Sequence, residues 1–442
     1  MMKRIILIAF VVASQIVSSD DLLSVYEEAL EKDPNYNLNK ADLQLNKEYL
    51  NQARSALGPR LNLSGSSNWN EYYQEKELQN DYNTFSYNLN LSQPIFRLDS
   101  WFQSRRAKKN LDAAEARFAY QQQDLIIRVT RAYFNILSAR SSLKTAQATE
   151  KAFENQFQQI VQRFNLGSAS KIELAEAKAA FNRSTSDRVL AEGNLDISFE
   201  EINSIVGREV TLIAPLSDEI KLSVPDENLE LIVKNGIDNN FLIKEAASKL
   251  LASKSNTRSK TANYLPKIDA NANANRRTSK QYTFDGLDSD LDLPFFIPQE
   301  TENRNFSVQF SLPLFTSGLN NSQRRQALLE EVKSEEQVIL IQRNITQQIR
   351  SLHSAIRTAK LNVESLEASL ESTKDALDAT KLGYELNSRN LIDLLQAERS
   401  FSDVQNRLSQ AKYSYIVTYL QFKQAIGILD PDDLLEINEN LE

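Results

Sequence analysis

One corner sequence occurs twice in this chain of 442 residues. The stretch RFNLGSASKIELAEA (163–177) matches GYELNSRNLIDLLQA (383–397) at an offset of 220 residues. Upstream, the proline-containing stretch SQPIF at 92–96 resembles SLPLF at 311–315. An internal duplication on this scale requires each half to supply the same series of elements. The sequence therefore predicts two copies of one structural unit.

The predicted boundaries follow from this match. We expect an export signal at 1–19, a first repeat at 20–214, a linker at 215–227, a second repeat at 228–430 and a tail at 431–442. The first 19 residues combine a basic start with a short apolar run, which is typical of a signal peptide rather than a membrane span.

Hydrophobic periodicity changes twice within each repeat. A helix comes first, then segments in which apolar and polar residues alternate, as in strands with one apolar and one polar face. Apolar residues then recur every seven positions, as at Leu111, Phe118 and Leu125; such heptads are typical of coiled coils. The predicted strand pairs are 61–73 with 85–93 and 267–278 with 305–312; the long helices are 97–165 and 316–385, and the return helices are 170–207 and 390–427.

The duplicated corners carry helix-stop and helix-start signals. Gly167 and Asn387 suit the left-handed conformation that ends a helix. Ser170 with Glu173, and Asn390 with Asp393, have the spacing of a capping box that starts the next helix. Each corner is therefore predicted to be the tip of a helix hairpin.

Composition restricts the environment. The chain has no cysteine, one histidine and a net charge of −8, which argues against disulfides, an enzyme and nucleic acid as a partner. No later stretch approaches the roughly 20 apolar residues of a membrane helix. Four strands cannot close a barrel alone, since small barrels need about eight. Several copies are expected to pool their strands, with apolar faces toward lipid and Asn/Ser faces toward water.

Taken together, the order of elements, the duplicated corners and the SQPIF/SLPLF junctions resemble the TolC outer-membrane channel family over the whole mature chain. The resemblance implies mixed α and β structure. Three copies would form a twelve-strand β-barrel in the outer membrane, continuing into a long α-helical coiled-coil tunnel in the periplasm. It also implies a passive exit duct for tripartite efflux pumps or type I secretion. The partners would be outer-membrane lipid, a periplasmic adaptor and an inner-membrane pump, with no cofactor, metal or catalytic residue.

The resemblance assigns roles at the corners. Tyr384 and Arg389 would be the inner partners of a periplasmic gate, Glu173 the outer acceptor, and Asp393 part of a carboxylate ring at the constriction. Gln396 stands where the family has a second aspartate, which leaves cation selectivity open. The hairpin tips that would contact the adaptor are Gly167, Ser168, Asn387 and Ser388.

Several alternatives stay open at this point. Glu173 and Asp393 also fit simple helix capping, where an acid stabilises a helix start by about 0.5–1 kcal/mol. A soluble periplasmic coiled-coil scaffold or adhesin-like stalk is the alternative function. Trp69 and Trp101 fit either interfacial belts or ordinary packing, and His353 fits packing. The basic group Arg105, Arg106, Lys108 and Lys109 is predicted to be a solvated helix face. The segment 279–305 is predicted to be an acidic outer loop.

Overall fold

The computed structural model describes residues 20–74, 77–215, 228–281, 300–386 and 388–438. The predicted signal at 1–19, all but the first residue of the predicted linker, Asn387 at the second tip and residues 439–442 lie outside the described residues.

Helices and strands of the described residues form two matching series. The first is α1 Leu22–Lys32, α2 Pro34–Ser55, β1 Arg60–Gln74, β2 Glu77–Phe96, α3 Leu98–Asn165 and α4 Lys171–Val206. The second is α5 Leu229–Asn239, α6 Phe241–Ala262, β3 Lys267–Gln281, β4 Glu300–Ser311, α7 Leu319–Glu385 and α8 Leu391–Ile426, followed by α9 Asp432–Asn438. Both α4 and α8 have 36 residues, and α3 and α7 have 68 and 67. These closely matching lengths confirm the internal duplication.

The first helical segment of each repeat is two helices rather than the single one predicted. In the first repeat Asp33 is extended (φ −61°, ψ 120°), as expected for the residue before Pro34, because proline disfavours the helical conformation at the preceding position. In the second repeat Asn240 takes nearly the same conformation (φ −60°, ψ 128°) without a following proline. The break therefore belongs to the fold, and only the first repeat signals it in its sequence.

Other element bounds also differ from those predicted. β2 begins at Glu77 rather than 85, because its polar first residues pair with β1 through the backbone and need no apolar alternation. β3 continues to Gln281, and β4 already begins at Glu300, so both strands extend into the segment predicted as a loop. Residues 282–299 of that loop lie outside the described residues. The second long helix begins at Leu319 rather than 316, because Ser317 and Gly318 have positive φ values of 46° and 82°.

The four strands form one antiparallel sheet in the order β1-β2-β3-β4. Its register places residues of like polarity in rows. Leu63 is opposite Leu89 and Leu89 opposite Ala274, whereas Asn90 is opposite Asn273. The other face carries direct polar contacts, including Ser66 Oγ to Ser86 Oγ at 2.8 Å. The sheet thus has one apolar and one polar face, as predicted.

The apolar face is open in the single chain. Leu63 is 74% exposed and Phe306 is 72% exposed. The members of this face on β1, β2 and β4 are Leu61, Leu63, Trp69, Phe85, Tyr87, Leu89, Leu91, Phe306, Val308 and Phe310. Among the described residues, no helix is both long and apolar enough to cross a membrane.

The described chain divides into two compact units, and each draws on both repeats. One comprises the described residues within 41–117 and 242–341, which include the sheet; the other comprises the described residues within 20–40, 118–241 and 342–438. In the second unit several of the predicted heptad residues are fully buried: Leu125, Val129, Ile136, Ile349, Ile356 and Val363. His353 lies against Phe422 with ring centroids 6.2 Å apart, so its surroundings are those of a packed side chain.

Candidate functional site

The first hairpin tip is closed by hydrogen bonds within the corner. Gly167 has φ 75°, the left-handed conformation that glycine adopts without steric cost. Ser168 donates from both its backbone N (2.8 Å) and its Oγ (2.9 Å) to the carbonyl oxygen of Arg163. The backbone N of Glu173 donates to Ser170 Oγ at 3.1 Å, and the backbone N of Ser170 donates to the Glu173 carboxylate at 2.6 Å. The predicted capping box is confirmed.

The second tip repeats this arrangement with different residues. Ser388 donates from its backbone N (2.8 Å) and its Oγ (3.0 Å) to the carbonyl oxygen of Gly383. Asn390 Oδ1 accepts from the backbone N of Asp393 at 2.9 Å, and the backbone N of Asn390 donates to the Asp393 carboxylate at 3.4 Å. Both acidic residues of the predicted gate therefore also cap helices.

A hydrophobic cluster joins the two hairpins behind their tips. Its buried members come from three helices, α3, α4 and α8: Phe153, Ile160, Ala177, Ala180, Leu391 and Leu395. Phe157 and Phe181 stack beside it with centroids 6.0 Å apart and planes within 8°. Tyr384 packs against the same cluster. The cluster fixes the Tyr384 ring, so its hydroxyl has a defined place between the hairpins.

The Tyr384 hydroxyl accepts two hydrogen bonds from α3. Gln156 Nε2 donates at 2.9 Å and Arg163 Nη1 donates at 3.2 Å. Sequence reasoning missed both donors. The available signal was their spacing of seven residues, which places them on one face of α3, each three residues after a buried cluster member. Within one chain, Tyr384 is thus linked to α3 and not to the carboxylate of Glu173.

Arg163 connects Tyr384 electrostatically with Glu173. Hydrogen bonds from the backbone and side chain of Ser170 hold the pKa of Glu173 below its usual value, and the positive charge of Arg163 acts in the same direction. Glu173 is therefore ionised at neutral pH. Arg163 therefore contacts Tyr384 directly and acts on Glu173 only through its charge.

The remaining predicted residues form a separate stripe. Arg389, Asp393 and Gln396 lie four and three residues apart, which places them on one side of the start of α8. Arg389 Nη1 lies 3.9 Å from the Asp393 carboxylate, and the two side chains are 62% and 39% exposed. Such an exposed pair is worth about 0–1 kcal/mol. The structure does not bring Arg389 to Glu173 within one chain.

Long helix hairpins with capped tips, and a two-faced sheet with open edges, define the subunit of an outer-membrane channel. The model of the family "Outer membrane efflux protein" matches residues 25–208 and 233–428. The chain belongs to this family.

Relatives and solved structures agree with this assignment. The chain is 27% identical over 430 residues to the outer membrane protein TolC of Vibrio cholerae, covering 97% of this chain and 95% of that protein. It is 24% identical over 424 residues to the alkaline protease secretion protein AprF of Pseudomonas aeruginosa, covering 93% and 85%. The crystal structure of the Campylobacter jejuni CmeC outer membrane channel superposes with a TM-score of 0.80 at 18% identity, covering 95% and 90%. The protein is therefore an outer-membrane protein with a large periplasmic portion.

Proposed function

We propose that this protein is the exit duct of an efflux or secretion system and that three copies pool their sheets around one water-filled passage. The two-faced sheet carries this proposal. β1 and β4 are its edges, and an open sheet edge in lipid leaves backbone groups without partners at a cost of several kcal/mol each. Pairing β4 of one copy with β1 of the next removes every edge. The polar rows then line the passage, and the apolar rows face lipid.

The periplasmic partners are an adaptor protein and an inner-membrane pump. We assign the adaptor contact to the hairpin tips, at Gly167, Ser168, Asn387 and Ser388. The side chain of Ser168 is committed to its own corner, so the tip is rigid and offers shape rather than loose polar groups. In this proposal the protein performs no chemistry and conducts passively.

The gate is the polar group around Tyr384. It links α7 to α3 and so restrains the hairpin that carries Arg389, Asp393 and Gln396. Each of its hydrogen bonds, the neutral one from Gln156 and the charged one from Arg163, contributes at least about 1 kcal/mol net. Three copies together therefore bias the closed state by a few kcal/mol, which a partner that binds the open state better can overcome.

Removing the Tyr384 link is expected to open the resting channel. Tyr384→Phe and Arg163→Gln each remove about 1 kcal/mol per copy. If three copies open together, the open fraction rises on the order of 100-fold. Single-channel conductance of the reconstituted protein in a planar bilayer measures this. The mass of the detergent-extracted particle is measured on the same samples and is expected to equal that of three chains.

Arg188→Gln provides the control, because Arg188 on α4 pairs with Glu150 on α3 at 2.7 Å, away from Tyr384. It is expected to leave resting conductance unchanged. Equal closed-state conductance in the wild type, Tyr384→Phe and Arg163→Gln would refute the gate. A monomer that dissolves without detergent and conducts nothing would refute the duct itself.

A further inference from the structure

A cavity of about 370 Å³ lies in the groove between α3 and α6, within the compact unit that contains the sheet. Its lining is mostly basic: Arg105, Lys108, Lys109, Leu251, Lys254, Ser255 and Arg258. We call this site the basic groove. The sequence had indicated only a solvated basic helix face on α3; the structure adds two cations from α6 and a concave shape.

The positive charge of the groove is only partly neutralised. Lys108 and Lys109 share one carboxylate, Asp112, at 2.9 and 3.0 Å. Within the described ranges no carboxylate forms an ion pair with the other three cations, Arg105, Lys254 and Arg258. Five cations around one acid favour an anion. Because the cations come from two helices, they can surround a compact anionic group such as a phosphate.

Helix geometry relates the direction of the groove to the polar face of the sheet. Asp99, at the start of α3, accepts from Lys267 Nζ at 2.7 Å, and Lys267 belongs to the polar row of β3 that continues with Asp269 and Asn271. Trp101 and Lys108 lie about 200° and 180° around the helix from Asp99. The groove residues of α3, Arg105, Lys108 and Lys109, thus lie about 80–180° around the helix from Asp99 and point away from its contact with the polar row.

An aromatic residue stands between the apolar face and the groove. Ile95 and Phe96 end β2 with 61% and 40% exposure, and Trp101, 40% exposed, follows in the first turn of α3. Arg105 stacks over the Trp101 ring with its guanidinium carbon 4.1 Å from the centroid. Apolar residues, then tryptophan, then cations is the order found where a protein leaves the hydrocarbon layer and meets lipid headgroups.

We propose that the basic groove binds the phosphate of an anionic phospholipid in the leaflet of the outer membrane that faces the periplasm. The lipid's chains lie along the apolar face of the sheet, and its headgroup enters the groove beside Arg105, Lys254 and Arg258. This inference rests on the outer-membrane location and is independent of the proposed gate. The bound lipid anchors the sheet at a fixed depth.

The test uses the full-length protein in neutral detergent, titrated with phosphatidylglycerol or phosphatidylcholine and observed by native mass spectrometry. The wild type is expected to retain phosphatidylglycerol in preference to phosphatidylcholine. In the variant R105Q/K254Q/R258Q the affinity for phosphatidylglycerol is expected to fall on the order of 100-fold, since each basic group near a headgroup contributes about a fivefold factor.

The matched control is R324Q/R325Q/K333Q, which removes the same charge from α7 in the same unit but outside the groove. It is expected to keep wild-type affinity, as is the charge-conserving R105K/R258K. A second readout is the emission of Trp101, in a W69F background that leaves it as the only tryptophan; it is expected to shift with phosphatidylglycerol and not with phosphatidylcholine.

Three results would overturn the proposal. The first is equal retention of both lipids by the wild type, and the second is an equal loss of affinity in the control and the groove variant. The third is full displacement of phosphatidylglycerol by millimolar inorganic phosphate, which would identify a free anion as the ligand. Conductance plays no part in these readouts, so a failure of the gate proposal would leave them unaffected.

Discussion

Replacing Gly427 with alanine is expected to destabilise the protein by about 3–4 kcal/mol. Gly427 ends α8 in the left-handed conformation, with φ 81°, where a residue with a Cβ pays about 1–2 kcal/mol. The added Cβ would also lie 2.7 Å from the carbonyl carbon and oxygen of Asn239 and 2.9 Å from the backbone N of Asn240. These are backbone atoms, which cannot rotate away, and overpacking of this kind costs about 1–3 kcal/mol. The measurement is the shift of the denaturant midpoint of the purified protein.

The duplication supplies its own control in Gly207, which ends α4 at φ 72°. An added Cβ there would meet only Lys32 Cβ, at 4.0 Å. Gly207→Ala is therefore expected to cost about 1 kcal/mol, the conformational part alone. Equal losses at the two positions would show that the close approach of α8 to the α5–α6 junction is not a constraint on the fold.

The parts of the fold that the sequence predicted are those whose signals lie within a few residues of one another. The heptad rows around Leu125 and Ile349, the glycine at 167 and the capping box from Ser170 to Glu173 each depend on local spacing. The alternation of the strands is equally local, and the duplication provided each signal twice. For these reasons the long helices, the hairpin tips and the two faces of the sheet were predictable.

The partners of Tyr384 were not predictable in the same way. Gln156 and Arg163 lie 228 and 221 residues before it in the chain. As single residues they are ordinary polar positions of a coiled-coil helix, and only packing of the hydrophobic cluster brings them to the hydroxyl. The helix break at Asn240 was missed for a related reason: its cause is the tertiary contact of Asn240 Nδ2 with the carbonyl oxygen of Ala425 at 2.9 Å, not a local signal such as proline.

The role of Glu173 shows why capping and gating had to be considered together. Its carboxylate is engaged by Ser170, so the sequence argument for capping was correct. The family resemblance pointed to the same residue as a gate acceptor. The position of Arg163 reconciles the two, because it reaches Tyr384 while its charge still acts on Glu173. The role of Glu173 as the outer acceptor of the gate stays a prediction.

Asp33→Asn is the second substitution with a large expected effect, a loss of roughly 3 kcal/mol at neutral pH. Asp33 is 1% exposed and accepts from Arg128 Nη1 and Nη2 at 3.2 and 2.7 Å and from the backbone N of Tyr36 at 2.8 Å. Removing one charge of a buried pair leaves the other uncompensated, which costs about 3–5 kcal/mol. Asp124 still pairs with Arg128 at 3.1 Å, so the expected loss of stability lies at the low end of this range.

The dependence on pH follows from the same contacts. Burial alone would raise the pKa of Asp33, but the hydrogen bonds from Arg128 and the backbone of Tyr36 outweigh it and hold the pKa below its ordinary value of 3.8. A carboxyl with a depressed pKa contributes stability that is present above its unfolded pKa and is lost as pH falls through the folded one. The difference between wild type and Asp33→Asn is therefore expected to be complete at pH 7 and to shrink below about pH 3.8.

Asp403→Asn controls for general loss of a carboxylate, because its pair with Arg407 is 57–66% exposed and is expected to contribute less than about 1 kcal/mol. The second repeat sharpens the interpretation. There Asn240 occupies the same break between two helices, is 1% exposed and donates through Nδ2 to a backbone carbonyl, so the fold itself accepts an amide at this position. What the first repeat requires is the negative charge facing Arg128. A deficit in Asp33→Asn that persisted unchanged at pH 3 would instead assign the effect to shape.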